Sequence, residues 1–280
     1  MGILDYFKPV ETWDADQVRQ FLQEHKPDEY NLVDVRQPGE YEDGHLPGAQ
    51  LIPVKDLEEQ LEQLDPDKTT ITYCAAGVRS RAGATVLARA GFRQVVSMSG
   101  GIRAWEGLVA EGEPELGATW FAPGQTVAEH LALAWLLEDG TRQFYAALAA
   151  GRTDPGEVDL FRRLSAVEEQ HQATLRALLR DLAGKAEPPA QILEERGGTT
   201  VLEGGITLEQ ALNWVMGKDL RRILELAMGL ETNAWDRYLL MQRAADSAPS
   251  REAFGRLAEE EKRHLGLLGA ELDRVLVRER

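Results

Sequence analysis

The stretch Glu168-Glu169-Gln170-His171 is written a second time as Glu261-Lys262-Arg263-His264, and the copy is wider than the motif. Glu138 matches Glu231, Tyr145 matches Tyr238, Phe161 matches Phe254, and Leu164 and Leu175 match Leu257 and Leu268. Every pair is 93 positions apart, the distance from residue 138 to residue 231. A carboxylate and an imidazole three residues apart share one face of a helix and can reach one cation. Each copy has a further Glu 30 positions before its Glu-x-x-His, at 138 and 231. The pattern is half of a dinuclear metal site, written out twice.

Around this repeat the chain reads as helix almost throughout residues 126–280. A first helix runs from Val127 to Ala150 and ends at Gly151. A second begins after Asp154-Pro155, a capping residue followed by proline at the first helical position, and continues to Ala183-Gly184. A third spans Leu208 to Ala245, with a break near Gly217, and a fourth follows Ser247-Ala248-Pro249-Ser250 to the end. Short links within each pair make antiparallel neighbours, and residues 185–206 form a longer crossover between the pairs.

A single Glu-x-x-His on an amphipathic helix is most often a solvated pair. Here the common register and the apolar neighbours of Glu138 (Ala134, Trp135, Leu136, Leu137) and Glu231 (Ala227, Met228, Leu230) point to buried carboxylates. Unpaired, these would be costly, and metal ions are the usual way to hold them. The bundle pattern is one Glu from each of two helices and Glu-x-x-His from each of the other two. His130 lies about 80° round its helix from Glu138 and reads as a non-ligand.

Residues 1–110 have a different texture. Asn31–Val35, Thr70–Tyr73 and Gln94–Met98 read as strands. Helical patterns run from the Asp14 cap through Leu22, from Arg81 to Ala90, and near Arg103-Ala104-Trp105. Strands alternating with helices favour a parallel sheet, with functional loops at the carboxyl ends of the strands. Cys74, the only cysteine in 280 residues, stands at such a place. The loop Cys74-Ala75-Ala76-Gly77-Val78-Arg79-Ser80 has small residues that let backbone N–H groups close around an anion, and Arg79 and Arg81 add positive charge. Residues 111–125, rich in Gly, Pro and acidic side chains, read as a linker.

A net charge of −16 argues against nucleic acid or an anionic membrane as partner. No apolar run approaches the roughly 20 residues of a membrane span, and no signal-peptide pattern opens the chain, so a cytoplasmic protein is expected. One cysteine excludes an intramolecular disulfide and any thiolate zinc site.

The first 110 residues resemble the rhodanese family. The likeness rests on Asp34-Val35-Arg36, on the run from Glu40 to Ala49, on the Cys74 loop, and on Gly100-Gly101-Ile102-Arg103-Ala104-Trp105. The six-residue loop Cys74–Arg79 resembles the sulfur-transferring branch, the related phosphatases having a loop one residue longer. The resemblance implies that Cys74 takes sulfane sulfur from a donor such as thiosulfate, carries it as a persulfide and passes it to a thiol acceptor. Asp34 and Arg36 would support the loop, Arg79 would orient an anionic donor, and His45 would belong to a structural turn.

Residues 126–280 resemble rubrerythrin, among the ferritin-like di-iron carboxylate proteins. The resemblance implies two metal ions, iron first, with manganese or zinc also compatible with the ligand types. Glu138, Glu168, Glu231 and Glu261 would be the carboxylates, two of them bridging, while His171 and His264 each cap one metal. Tyr145 and Tyr238 would either hydrogen-bond these ligands or fill the core. Ala234 stands where rubrerythrin has an extra Glu, and the chain has no four-cysteine rubredoxin-like centre, so redox turnover would need an external rubredoxin- or ferredoxin-like electron donor. Such bundles commonly pair, so the resemblance is compatible with a homodimer and leaves the oligomeric state open.

The expected fold is therefore an α/β rhodanese-like parallel sheet with flanking helices, followed by an all-α ferritin-like four-helix bundle. The expected function is sulfur transfer through Cys74, fused to a dinuclear-metal domain acting on peroxide or oxygen. Two alternatives make the bundle a metal-binding, sensing or oligomerising module, or make the rhodanese a sulfur-binding domain that recruits an electron donor.

Overall fold

A computed structural model describes residues 10–110, 126–184, 200–203, 205–245 and 247–278. The chain forms two compact units, Met1–Pro114 and Glu115–Arg280. The expected linker, 111–125, and residues 185–199 of the expected crossover lie outside the described residues.

The first unit is a five-stranded sheet in the order β1-β5-β4-β2-β3, parallel at every pairing. Its strands are β1 (Glu11–Trp13), β2 (Tyr30–Asp34), β3 (Gln50–Leu51), β4 (Thr69–Tyr73) and β5 (Gln94–Met98). Helices α1 (Ala15–Glu24), α2 (Pro38–Glu42) and α3 (Val78–Arg89) connect them. Successive residues of a strand face opposite sides. Leu32 accordingly joins Val18, Tyr41, Ile71 and Met98 on one side, while Val33 joins Val35, Leu57 and Leu87 on the other. The sheet is thus covered on both faces, as parallel sheets require.

Asp14 starts α1 with a reciprocal capping box, its side chain accepting from the Gln17 N–H while Gln17 accepts from the Asp14 N–H. The central strands fall within a residue of their expected places. The edge strands β1 and β3, three and two residues long, are additions. The last helical pattern is a short 3₁₀ turn over Gly101–Ala104.

Among the described residues the second unit has five helices: α4 (Val127–Gly151), α5 (Pro155–Ala183), α6 (Leu208–Val215), α7 (Leu220–Ala244) and α8 (Ala248–Arg278). The break expected near Gly217 separates α6 from α7, with Gly217 at φ +73°. Helix α4 packs along α5, and α7 along α8. Asp154 caps α5 by accepting from the Gly156 and Glu157 N–H groups, with Pro155 at the first helical position.

Two apolar layers fill this unit. One holds Tyr145, Phe161, Leu164 and Leu268, and the other holds Tyr238, Phe254, Leu257 and Leu175. Residues related by the 93-position repeat sit in opposite layers, as a twofold relation between the two helix pairs requires. Between the layers, by position along all four long helices, come Glu138, Glu168, Glu231 and Glu261, each fully buried.

Among the described residues no helix is long and apolar enough to cross a membrane.

Candidate functional sites

Cys74 leaves the carboxyl end of β4, and α3 begins only four residues later, three residues before the position read from its apolar pattern. Val78, Arg79 and Ser80 therefore belong to the first helical turn, and Cys74 to Gly77 make the bend. Sγ is almost wholly buried and accepts the Gly77 N–H at 3.1 Å. Burial alone would raise the thiol's pKa. The Ser80 and Ala76 N–H groups, the Ser80 hydroxyl and the Gly77 N–H outweigh it and hold the pKa below its ordinary value. The thiolate is thus stabilised by peptide dipoles at a helix N-terminus.

The loop is fixed from below. Ile102 and Arg103 donate their N–H groups to the Cys74 and Ala75 carbonyls at 2.8 and 3.2 Å. Gly101, at φ +58°, allows that approach, because a Cβ there would lie 2.1 Å from the Cys74 oxygen. Ser80 is buried, with its Oγ 2.9 Å from Ser97 Oγ and its carbonyl accepting from Thr72 Oγ1 at 3.0 Å.

Arg36 grips Asp34 through Nε and Nη2, and Nη2 also donates to the Gly44 carbonyl at 2.7 Å. The pair is buried and braces the turn that carries His45. Its guanidinium also lies over the ring of Tyr73, the residue before Cys74, so support reaches the loop one residue removed. His45 stacks on Tyr41 at 3.5 Å and contacts the Tyr41 carbonyl through Nδ1 at 2.9 Å, which fits the structural turn expected of it.

Arg79 is not a solitary cation. Its two terminal nitrogens donate to the two oxygens of Glu40 on α2, at 2.6 and 2.7 Å. The Arg79 hydrogen bonds hold the Glu40 carboxyl down at about 2 and raise the guanidinium further above its ordinary value. The partner was hidden in sequence, 39 positions away.

In the second unit, His171 Nδ1 lies 3.1 Å from Glu138 Oε2 and 3.4 Å from both Glu168 Oε2 and Glu261 Oε1. His264 Nδ1 lies 3.1 Å from Glu231 Oε2 and 3.3 Å from Glu168 Oε1. Glu168 thus presents one oxygen to each histidine, and Glu261 belongs to groupings with both. Two donors held about 2.1 Å from one ion stand about 3.0–3.4 Å apart, the spacing found here. Both oxygens of Glu168 and Glu261, Glu231 Oε2 and both ring nitrogens of His264 are buried without a hydrogen bond. Burial, reinforced by neighbouring carboxylates, raises the Glu168 and Glu261 pKa values well above the ordinary range. Orphaned donors converging on one interior space are what a cation would satisfy, and the residue set fits a metal centre.

The tyrosines cross the repeat. The Tyr145 hydroxyl donates to Glu231 Oε1 at 2.8 Å, and the Tyr238 hydroxyl donates to Glu138 Oε1 at 3.0 Å. Each therefore orients the carboxylate of the opposite helix pair while its ring fills the core, so the two expected roles are combined.

The family model for a rhodanese-like domain matches residues 14–108. A thiosulfate sulfurtransferase, GlpE of Pseudoalteromonas translucida, is 32% identical over 80 residues, covering 29% of this chain and 76% of that protein. The chain belongs to the rhodanese-like family. The uncharacterized protein YqhL of Bacillus subtilis is 36% identical over 78 residues, 28% of this chain, and the chain spans 62% of its length. A rhodanese-like domain protein from Staphylococcus aureus is 30% identical over 37% of this chain and all of its own, with a TM-score of 0.34.

Within the rhodanese unit the structure brings together Cys74, Ala75, Ala76, Gly77 and Ser80 with Arg79 beside them, and sets Asp34 and Arg36 behind Tyr73. In the helical unit it brings together all six expected ligands and both tyrosines. Sequence reasoning missed Glu203. This residue is fully buried, and one of its oxygens groups with oxygens of Glu138 and Glu168. No repeat mate marks it, since 93 positions earlier stands Ala110. Its only sequence signal is an acidic side chain between Leu202 and Gly204 in a segment read as crossover.

Proposed function

We propose that the rhodanese unit is a sulfurtransferase working through a Cys74 persulfide. The observation that carries this reading is the buried Sγ held by the Gly77 N–H at the start of α3. The Cys74 thiolate attacks the outer sulfur of a sulfane donor such as thiosulfate. The donor's sulfur–sulfur bond breaks, sulfite leaves with the bonding pair, and the persulfide remains on Sγ. An acceptor thiolate then takes the outer sulfur, and the Cys74 thiolate returns. The N–H groups of the loop stabilise the anion at both stages without moving. The name of the Pseudoalteromonas relative supports thiosulfate as the first donor to test. Protein assayed with thiosulfate and cyanide should form thiocyanate, and Cys74→Ser should abolish the turnover. Equal rates from both proteins would remove the reading.

For the helical unit we infer a rubrerythrin-like dinuclear metal centre held by Glu138, Glu168, His171, Glu231, Glu261 and His264. When bound, a pair of irons would supply electrons for peroxide or oxygen reduction, drawn from an external rubredoxin- or ferredoxin-like donor. The protein's own part is to hold the carboxylates apart in a dry interior and to aim two of them through Tyr145 and Tyr238. The complete burial of the four carboxylates favours a second reading, in which the centre binds or senses metal without turnover. Metal analysis with an optical spectrum, followed by peroxide consumption by the reduced protein, separates the two. Two irons with fast consumption support the first reading. Bound metal without consumption supports the second, and no metal at all refutes both.

A further inference from the structure

The segment from Thr200 to Thr207 carries a side chain that the repeat does not explain. Glu203 has no exposed surface, and both of its carboxylate oxygens lack a hydrogen bond. Its backbone is firmly placed. The Glu203 N–H donates to Thr141 Oγ1 on α4 at 3.3 Å, and its carbonyl accepts from Arg237 Nη2 on α7. Leu202 donates its N–H to the Ile206 carbonyl and buries its side chain in the apolar layer that contains Tyr145. Val201 packs so closely on α4 that a Cβ on Gly140 would lie 2.1 Å from the Val201 oxygen. Gly140 and Thr141 follow Glu138 by two and three residues, so the contacts that seat the segment also bring its acidic side chain to the metal-facing carboxylates. Arg237 hydrogen-bonds the carbonyl of Glu203 and meets its carboxylate through charge alone, so neither carboxylate oxygen is hydrogen-bonded.

One oxygen each of Glu138, Glu168 and Glu203 lies within 4.8 Å of the others. Ligands on opposite sides of one ion are about 4.2 Å apart, so a small adjustment brings all three onto a common cation. Resting on the dinuclear reading above, we propose that Glu203 is a seventh metal-facing residue and the fifth carboxylate, delivered by the segment before α6 to the ion that His171 caps. Among the described residues the second ion, capped by His264, receives no equivalent, and the position 93 residues before Glu203 is Ala110. The two positions are therefore unequal, with different charge and different ligand number, although the helices that build them are related by a repeat. The unequal pair binds its ions in sequence, the Glu203 side first. Such an order suits a hard or highly charged cation at that position, since carboxylate-rich sites favour it over imidazole-rich ones.

The test uses full-length protein stripped with chelator and titrated with cobalt(II), read by visible absorption and calorimetry. Wild type should bind two ions per chain in two resolved steps. Glu203→Gln should weaken the tighter step by about tenfold or more, as removal of metal-site partners does, and leave the weaker step within about twofold. Its metal-free form should melt no lower than metal-free wild type, because the amide replaces a buried carboxyl that has no hydrogen bond to lose. Glu203→Asp keeps the charge but withdraws it by one methylene and should give the same single-step loss, which guards against a folding defect in the first variant. Two unchanged steps in both variants would overturn the assignment of Glu203. Failure of wild type to bind cobalt at all would instead overturn the dinuclear reading beneath it.

Discussion

Arg79 shows how one side chain changes meaning when its partner is known. Read alone in the loop, it is a cation waiting for an anionic donor. In the fold it is clamped by Glu40, with both side chains about a third exposed. The clamp lowers the positive potential that a donor meets and fixes the guanidinium at one place. Glu40→Gln should therefore lower KM for thiosulfate severalfold with little change in kcat, because charge attracts the donor but does not touch the reacting sulfur. Steady-state kinetics at low ionic strength checks this, and added salt should erase the difference. The pair also has a pH signature. The folded Glu40 carboxyl sits at about 2, below its ordinary value of 4.5. Its stabilising contribution is thus complete above about pH 4.5 and is lost as pH falls toward 2. At this exposure it is worth about 1 kcal/mol or less. Acid unfolding of Glu40→Gln should accordingly converge with wild type only below about pH 2, where the folded carboxylate is largely protonated.

At the scale of elements, the Cys74 bend depends on a second bend, Gly100-Gly101, that never touches sulfur. Gly101→Ala would place a methyl in the Cys74 carbonyl at a positive φ. The expected cost is about 2 kcal/mol or more, from steric overlap and backbone strain together. Chemical denaturation should show it as a lowered midpoint for the rhodanese unit, with sulfur transfer falling further than stability. Much of this level was readable beforehand. Asp14, Asp154-Pro155 and Gly217 mark helix boundaries by capping and backbone chemistry that acts within a few residues. Strands β2, β4 and β5 are apolar runs long enough to read. The edge strands β1 and β3 were not legible, since two or three residues carry no period, and their pairing is decided by neighbours far along the chain. Helix α3 begins at Val78 rather than Arg81 because its first turn, with Val78 exposed and the buried Ser80 polar, has no apolar face to announce it. The metal-facing set divides in the same way. Six residues were found by the repeat, whereas Glu203 owes its place to packing of one segment on Gly140.

For the whole molecule, separate cores predict separate melting. Among the described residues the groups that could hold a metal ion all lie in the helical unit, and a bound ion would stabilise whatever holds it in proportion to affinity and concentration. Calorimetry of metal-loaded protein should therefore show two transitions. Chelator should lower the one assigned to the helical unit by several degrees or more and leave the Gly101→Ala-sensitive transition where it was. A single transition that shifts as one would deny the independence of the cores. The crossed hydrogen bonds, Tyr145 to Glu231 and Tyr238 to Glu138, reach beyond stability. Neither helix pair owns a finished site: each lends its tyrosine to the other and shares both Glu-x-x-His carboxylates. A single α4–α5 hairpin would find its missing half only in a second copy of itself, facing it across a twofold axis. The present chain has the form of such a pair joined end to end. Glu203, which has no mate in the repeat, breaks the symmetry of that pair.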